Sequence, residues 1–390
     1  MNIFSPTQDH DALRRMIRDF TEKEVDPQAE HHDQTETFNH ALFKKLGDLG
    51  LLGITVPEAL GGTGMDATAC VIVHEELSAA DPGFCLAYLA HALLCVNNMA
   101  YNASPEQSAK YLPDLCTGKT IGGMCMSEPG AGTDVLGMGT TAIEQGDHYL
   151  LNGAKMWITN GALDDTTLGD VFLVYARTGD SRNQIGQFIV EKGMKGFSLG
   201  QRLKGKLGMR ASSTAELVFD NCIVPKANLI GAPTGALLHM MRNLEIERVG
   251  LAAMSLGIAR RCIEIMNRYA QERQSFGKSL NNFGQIQKYI ADSYAEFLAG
   301  RSYVYQVASA LDLSKEGQRL DSDGVKLYCS TMAKRVADRA IQVLGGYGYM
   351  SEYQVERLWR DAKLLEIGGG TIEAHQKNMT RDLTQLRQIR

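Results

Sequence analysis

The chain has 390 residues, of which 44% are hydrophobic and 22% are charged, and its formal net charge is -5. This composition is typical of a globular protein, and the length allows two or three packed domains with a binding surface between them. Basic and acidic residues are interspersed, so no basic block favours nucleic-acid binding.

The N-terminal segment MNIFSPTQDHDALRRMIRDF contains acidic residues and no uninterrupted apolar core. It therefore differs from both a secretory signal and a mitochondrial presequence. No run approaches about 18 consecutive apolar residues, the length that a membrane-crossing helix needs. We expect no membrane span. The expected location is the bacterial cytoplasm, or the mitochondrial matrix if the chain is a trimmed mature form.

The first region, residues 1–119, has the hydrophobic pattern of helices. Apolar residues recur every three to four positions at Leu13, Met16, Ile17 and Phe20, and residues 41–51, 68–80 and 84–101 behave similarly. Glycines between these stretches favour turns. The pattern predicts an antiparallel helical layer.

In the second region, residues 120–230, short β-type runs replace the helical pattern. They cover residues 148–151, 171–176, 187–190 and 215–219, and Gly, Asn and Asp residues separate them. A middle β domain is the expected structure.

The third region, residues 231–390, returns to long helical patterns. Leu251, Ile258, Cys262, Ile265 and Tyr269 share one helical face, and further helices are predicted over residues 283–313 and 321–344. Helices, then strands, then long helices indicate an α+β fold with segregated layers.

The cysteines do not suggest a redox or metal site. No C-x-x-C motif and no His pair at metal-ligand spacing occurs, so we expect neither a metal site nor disulfides. Buried structural thiols are the predicted role of all eight: Cys70, Cys85, Cys95, Cys116, Cys125, Cys222, Cys262 and Cys329.

Two segments, MSEPGAGTD (126–134) and LNGAKMWITNG (151–161), form a combination that predicts a ligand site. The first places the hydroxyls of Ser127 and Thr133 beside glycines that admit close approach of a ligand. In the second, Trp157 and Thr159 alternate, so on a strand both side chains point to one face. A planar heterocycle could stack on the indole while Thr159 binds its edge. The alternative is a tryptophan buried in the core of a strand.

The chain resembles the acyl-CoA dehydrogenase family over essentially its full length. Six segments match in order and spacing: MSEPGAGTD, NGAKMWITNG, KLGMRASSTAEL, ERQSFGKSL, QVLGGYGY and LWRDAKLLEIGGGTIE. The resemblance implies an N-terminal helical domain (1–119), a middle β domain (120–230) and a C-terminal four-helix-type bundle (231–390). It also implies FAD between the last two domains, an acyl-CoA substrate, an electron-transferring flavoprotein as acceptor, and a homotetramer.

The resemblance assigns cofactor roles by position. The flavin and the pyrophosphate end of the substrate would be lined by Met124, Met126, Ser127 and Thr133. Trp157, Ile158 and Thr159 would hold the isoalloxazine, and Thr371 and Glu373 would close the site. The adenosine end of FAD would meet a neighbouring subunit at Arg273, Phe276, Gln342, Gly345 and Gly346. An arginine near a pyrophosphate is physically reasonable, because guanidinium pairs bidentately with phosphate. A surface salt bridge is the alternative role of Arg273.

The catalytic base is assigned to Glu247. In most of the family the base lies in the loop that here reads IGGGTIE, at the position of Gly369, which cannot act as one. A subset that includes the isovaleryl-CoA dehydrogenases carries the base in a helix with a motif like LEIERVGLA, where Glu247 stands. Leu251 lies one turn further on the same helical face, whereas Glu245 points elsewhere. The alternative is that this stretch is a solvated helix turn.

Further residues are assigned to the acyl thioester. Burial is expected to raise the pKa of Glu247 toward neutrality, and Arg248 would bind the substrate or hold Glu245. The Gly369 N–H would polarise the thioester carbonyl. The predicted substrate-binding set is Thr133, Glu245, Arg248, Leu251, Gly369 and Gly370.

The predicted substrate is a short, branched acyl-CoA similar to isovaleryl-CoA, because Gly368 and Gly369 leave room beside the acyl chain. Three positions depart from the family pattern: Leu89, Leu238 and Gly284. Another acyl-CoA, an acyl-carrier-protein thioester and an oxygen-reactive acyl-CoA oxidase remain alternatives, and a non-catalytic flavoprotein is the least favoured.

Overall fold

The structure is a computed structural model and describes residues 2–315 and 317–386. Its N-terminal region is helical, and two π-helical stretches, Thr21–Val25 and Ala90–Asn97, join neighbouring helices. The helices are α1 (Gln8–Phe20), α2 (Asp26–Thr35), α3 (His40–Asp48), α4 (Ala67–Ser78), α5 (Pro82–Leu89), α6 (Asn98–Asn102) and α7 (Pro105–Cys116).

One residue of the predicted apolar face of α1 lies outside the core. Leu13 and Ile17 are buried, but Met16 is exposed and Arg14 is buried. Arg14 can be buried because its guanidinium donates to the carboxylates of Glu75 and Glu76 on α4, at 3.2 and 2.7 Å. A pairing between helices, which periodicity does not reveal, therefore shifts the buried face.

The segment Pro82–Asn102 is long and apolar enough to cross a membrane, and 83% of its most apolar window is buried inside the fold. It includes α5 and α6 and packs against both α4 and β1. Burial in the protein core accounts for its apolar character.

The middle region is an eight-stranded sheet in the order β6-β7-β3-β2-β4-β5-β8, with β1 paired in parallel to β4. Most other pairs are antiparallel, and the long strands β3 and β7 form the widest ladder. The strands are β1 (Gly122–Cys125), β2 (Thr141–Gln145), β3 (His148–Thr159), β4 (Val171–Arg177), β5 (Ile185–Glu191), β6 (Phe197–Arg202), β7 (Thr214–Pro225) and β8 (Leu229–Ile230). Two short strands, β9 (Gln274–Ser275) and β10 (Lys278–Ser279), form a separate hairpin.

The C-terminal region is a bundle built around one long helix. This helix, α8, packs against α9, α10 and α11 of its own region and against α4 of the N-terminal region. The helices are α8 (Ala236–Glu272), α9 (Gly284–Ala310), α10 (Arg319–Leu344), α11 (Val355–Leu365) and α12 (Ile372–Leu383). Since α8 has helices on both sides, every residue from Glu245 to Ala259 is buried. The order of helical, β and helical regions confirms the predicted α+β fold class.

All eight cysteines are buried and none forms a disulfide. Within residues 2–315 and 317–386, no group of three or more His, Cys, Asp or Glu side chains is arranged to hold a metal ion.

Candidate active site

Glu247 lies in the buried middle of α8, and only 7% of its surface is exposed. Its Oε2 atom is buried and has no hydrogen-bond partner in the described part of the chain. Burial raises the pKa of Glu247 to about 7, and the charges of Arg248 and Lys326 oppose this effect. Glu247 is therefore not in a solvated helix turn. A carboxyl group in this state can exchange a proton near neutral pH.

The loop between α11 and α12 reaches this carboxylate through Gly369. A Cβ atom added at Gly369 would lie 3.4 Å from Oε1 of Glu247 and 2.2 Å from Cδ1 of Leu251. The φ angle of Gly369 is +67°, which also disfavours a side chain. Among the described residues, its N–H has no hydrogen-bond acceptor. The loop thus presents a backbone donor beside Glu247.

The two charged neighbours of Glu247 on α8 have protein partners. Arg248 forms an ion pair with Asp323 of α10, with 3.1 Å between Nη1 and Oδ1. The Glu245 carboxylate accepts the backbone N–H groups of Gly317 and Gln318, at 3.2 and 3.0 Å. Glu245 therefore holds the two residues that lead into α10.

The loop 126–134 and strand β3, which carry the residues assigned to the flavin, are held together. The N–H of Met156 donates to the Ser127 carbonyl at 2.9 Å. Lys155 is fully buried, and its ammonium binds Glu128 at 2.8 Å and the Met126 carbonyl at 3.1 Å. This buried ion pair fixes the glycine-containing loop against β3.

Trp157 stands at an irregular point of β3. The pairing of β3 with β7 shifts register between Lys155 and Ile158, and Trp157 has a φ angle of 61°. Its side chain is 57% exposed, Ile158 is buried and Thr159 is half-buried. The expected alternation of exposure is present, but it passes through a β-bulge instead of a regular strand. A bulky residue at positive φ is an outlier of the kind that occurs at functional sites.

The remaining residues assigned to this site lie at element ends. Met124 on β1 is half-buried, Met126 is buried and Thr133 is exposed. Thr371 is the N-cap of α12, and its hydroxyl accepts the N–H of Ala374 at 3.2 Å. Glu373 is exposed in the first turn of the same helix.

A second group of assigned residues lies around a separate cavity of about 580 Å³, which Arg273, Gly345 and Gly346 line. The Arg273 guanidinium lies 5.7 Å from the ring centre of Tyr347. In the described part of the chain Arg273 forms no ion pair, so the salt-bridge alternative is not observed. Gln342 is exposed just before these glycines, and Phe276 is 93% exposed with a φ angle of 51°.

The surroundings of Trp157 and Thr159 fit a flavin. An exposed indole next to a half-buried threonine supplies a flat apolar surface and a polar edge. A Cβ atom added at Gly130 or Gly132 would have no neighbour within 4 Å, so the loop beside β3 has open space. The residues present therefore fit the heterocycle that the sequence predicts.

Sequence reasoning did not identify Asp323, Lys326 and His375, which surround the Gly369 loop from α10 and α12. All three are fully buried. One signal was available: Lys326 is three residues before Cys329 and seven before Ala333, which are buried in α10. A charged residue in line with a buried helical face requires a partner.

Comparisons with known proteins identify the family. The acyl-CoA dehydrogenase N-terminal, middle and C-terminal domain models match residues 7–119, 123–222 and 237–384. A mitochondrial isovaleryl-CoA dehydrogenase of Solanum tuberosum is 40% identical over 385 residues, which cover 98% of this chain and 91% of that protein.

Solved structures agree with the sequence comparison. The butyryl-CoA dehydrogenase of Megasphaera elsdenii has a TM-score of 0.92 and 33% identity, and the match covers 98% of each chain. A glutaryl-CoA dehydrogenase of Mycobacterium smegmatis in complex with FADH2 has a TM-score of 0.90 and 30% identity, covering 98% of this chain and 96% of that one. This chain therefore belongs to the acyl-CoA dehydrogenase family and is an oxidoreductase that acts on acyl-CoA.

Proposed function

We propose that this protein oxidises a short, branched acyl-CoA similar to isovaleryl-CoA to its 2-enoyl-CoA, with FAD as cofactor and Glu247 as the base. The observation that carries the proposal is the buried Glu247 carboxyl group, which has an unpartnered oxygen and lies beside Gly369. A group in this setting is suited to removing a weakly acidic proton that is held next to it.

Three residues of this chain would have distinct roles in the reaction. Glu247 accepts the α-proton of the acyl group. The Gly369 N–H, which has no acceptor in the described part of the chain, donates to the thioester carbonyl and stabilises the charge that develops there. Leu251 is buried beside both groups and excludes water from them.

When bound, FAD supplies the acceptor for the β-hydrogen, which leaves as a hydride. Trp157, Ile158 and Thr159 would hold its ring, with Met124, Met126, Ser127 and Thr133 along the adjacent loop and Thr371 and Glu373 at the start of α12. Thr133 would also contact the substrate. Binding of FADH2 by the mycobacterial relative supports this choice of cofactor.

The packing beside α8 supports a short acyl chain. Gly250 is three residues from Glu247, and a Cβ atom added there would lie 2.9 Å from Cδ1 of Leu93 and 3.2 Å from Cδ1 of Leu89. Both leucines are buried. They leave little room near the base for a long chain. A Cβ atom added at Gly368 would meet Leu364 at 3.5 Å or more, an ordinary contact distance, so this position of the loop tolerates one added carbon.

We propose further that the protein is a homotetramer and that an electron-transferring flavoprotein is its electron acceptor. The exposed ring of Phe276 and the cavity at Arg273, Gly345 and Gly346 support an interface that completes the binding of the FAD adenosine. Arg273 would pair there with phosphate oxygens. Arg248 and Glu245 would act on the substrate site through α10, since their partners are Asp323 and the start of that helix.

The test is an anaerobic titration of the FAD-loaded protein with a panel of acyl-CoAs from butyryl to octanoyl, including isovaleryl-CoA and 2-methylbutyryl-CoA. Loss of flavin absorbance with isovaleryl-CoA in preference to the others is the expected result. Bleaching only by other thioesters, or by acyl-carrier-protein thioesters, would retain the reaction and refute the substrate. No bleaching by any thioester would refute the reaction. An oxygen electrode distinguishes a dehydrogenase from an oxygen-reactive oxidase.

A further inference from the structure

A buried polar cluster lies behind the Gly369 loop, on the side of α10 and α12. His375 is fully buried on α12. Its Nδ1 atom lies 2.6 Å from Oδ1 of Asp323, and its Nε2 atom lies 3.0 Å from the carbonyl oxygen of Gly370. The imidazole ring thus connects α10 to the loop through one atom at each end.

Both ring nitrogens of His375 face oxygen acceptors. A neutral imidazole has one N–H and one lone pair, so it could donate to only one of these oxygens. The 2.6 Å contact with Asp323 therefore needs a proton between the two atoms, whichever of them holds it. At His91, by contrast, only one ring nitrogen faces an acceptor. Its Nε2 faces the Leu115 carbonyl, and its Nδ1 accepts the N–H of Gly122. At His375 an imidazolium ring satisfies both oxygens at once, because Nδ1–H donates to Asp323 and Nε2–H donates to the Gly370 carbonyl. Burial lowers the pKa of His375, and the Asp323 carboxylate opposes this effect by accepting from the ring.

The ring also fits against the backbone of Gly370. A Cβ atom added at Gly370 would lie 2.9 Å from both Cε1 and Nε2 of His375. The φ angle of Gly370 is +102°, in the region where side chains are strained. The imidazole therefore occupies the space that a side chain at position 370 would need, and this fixes the loop by shape as well as by hydrogen bonding.

Lys326 holds the same loop from α10. Its ammonium donates to the carbonyl of Leu365, at the end of α11, and to the carbonyl of Gly370 at 3.3 Å. One buried charge therefore joins the two ends of the segment 366–370. Asp323, one helical turn before Lys326, is paired with both His375 and Arg248. The segment is thus tied to a single face of α10.

We propose that the Asp323–His375 pair is a positioning element for catalysis, which fixes the Gly370 carbonyl and so holds the Gly369 N–H beside Glu247. This inference rests on the proposed function, because the role of the Gly369 N–H belongs to the α,β-dehydrogenation. Neither Asp323 nor His375 touches the substrate in this scheme. They act through the conformation of the loop, since small displacements of a catalytic group reduce the rate strongly.

The test compares three variants, His375→Gln, Asp323→Asn and the double variant, as FAD-loaded proteins. The control is His10→Gln, which removes another histidine–aspartate pair, His10 with Asp66 at 2.9 Å, in the N-terminal domain. Two quantities are measured. One is hydrogen–deuterium exchange of the peptide covering residues 366–372. The other is the limiting rate of anaerobic flavin bleaching, as a function of pH, by the acyl-CoA that reacts fastest with the unmodified protein.

We expect His375→Gln to increase exchange in residues 366–372 and to lower the limiting rate by about 10- to 100-fold. The pH midpoint that reports Glu247 should not move, because the loop and not the base is displaced. The double variant should lose no more than the more damaged single variant, because the two residues act as one unit. His10→Gln should change neither quantity.

Unchanged exchange in residues 366–372 of His375→Gln would overturn the proposal. An unchanged limiting rate per bound flavin would also overturn it. So would a double variant whose decrease in limiting rate is the product of the decreases in the two single variants. A melting temperature lowered as much by His10→Gln, without the change in rate, would separate loss of stability from loss of positioning. If no acyl-CoA bleaches the unmodified protein, the proposed function fails with the catalytic role of the pair. The exchange measurement then still decides whether the pair holds the loop.

Discussion

Gly369 and Glu247 are in contact range across two separate segments: a Cβ atom added to the glycine would lie 3.4 Å from Oε1 of the glutamate. One residue comes from the loop after α11 and the other from the middle of α8. A carboxylate carried by α8 therefore reaches the place where a side chain at position 369 would project. A glycine in the loop is therefore compatible with the proposed role of Glu247 as the base.

Replacement of Glu247 by Gln should leave a yellow, FAD-loaded protein that acyl-CoA no longer bleaches at a useful rate. The loss of a general base predicts a decrease of about 10²- to 10⁴-fold in the bleaching rate, measured anaerobically by stopped flow. Glu245→Gln is the matched control, because it removes the charge of a buried carboxylate two residues away that binds the backbone before α10. It should cost about 1 kcal/mol of stability through weakened hydrogen bonds and retain bleaching. Retained bleaching in Glu247→Gln would refute the assignment of the base.

The pH dependence of the reaction should follow Glu247, whose pKa burial raises to about 7. In the proposed reaction the ionised carboxylate is the base, so kcat/KM should rise with pH through about 7 and then level off. A profile that is flat between about pH 5 and 8 would contradict a buried glutamate as the base.

The raised pKa of Glu247 also makes the free energy of unfolding depend on pH. Stability should fall over the pH range in which kcat/KM rises. Burial raises the pKa of Glu247 from 4.5 to about 7 on folding, so the folded state retains a proton that the unfolded chain releases. The stabilisation that comes from this retained proton is full below pH 4.5 and is lost as the pH rises to about 7. The free energy of unfolding should fall by about 3 kcal/mol over this range. Denaturant unfolding of the protein and of Glu247→Gln across this range should show that the variant lacks this decrease.

Lys326→Met should raise the pKa of Glu247 further, because the Lys326 charge favours the ionised carboxylate. The pH midpoint of kcat/KM should therefore move to a higher value. His375→Gln is the comparison, since it disturbs the same loop without removing that charge. A midpoint that stays in place in Lys326→Met would show that the lysine does not act on the base.

Gly369→Ala should decrease kcat/KM, because the added Cβ would meet Cδ1 of Leu251 at 2.2 Å and the φ angle is +67°. Forcing a side chain into such a position costs about 1–3 kcal/mol, which corresponds to about 5- to 150-fold in rate if the loop moves. Gly368→Ala is the control: its nearest neighbour would be at 3.5 Å and its φ is not positive. Equal activity of the two variants would mean that the conformation of Gly369 is not required.

Leu89→Ala should shift the preference of the enzyme toward longer acyl chains. Leu89 packs against Gly250, near the base, and its removal enlarges the space there. The ratio of kcat/KM for hexanoyl-CoA over isovaleryl-CoA should increase by about 10-fold or more. Leu46→Ala, which removes a buried leucine side chain in α3, is a control for lost stability and should leave this ratio unchanged. An unchanged ratio in Leu89→Ala would place the acyl chain elsewhere.

The amino-acid sequence by itself determined the three-region organisation, because hydrophobic period, turn residues and helix length are local properties. Together with the family resemblance it also predicted Glu247 as the base, because the loop has a glycine at position 369 and the helical motif has Glu247. The positions of β3, β4, β5 and β7 and of the long C-terminal helices were predictable for the same reason.

Only the tertiary structure decided what surrounds these residues. The burial that raises the pKa of Glu247 comes from helices distant in sequence, and the partner of Arg248 is Asp323, 75 positions further along the chain. The bulge at Trp157 depends on the register between β3 and β7, which the sequence of β3 alone does not specify. His375 and Lys326 meet at the Gly370 carbonyl because α10 and α12 pack together. Contacts of this kind depend on the packing of distant segments, so a local pattern can show that Lys326 needs a partner but does not identify that partner.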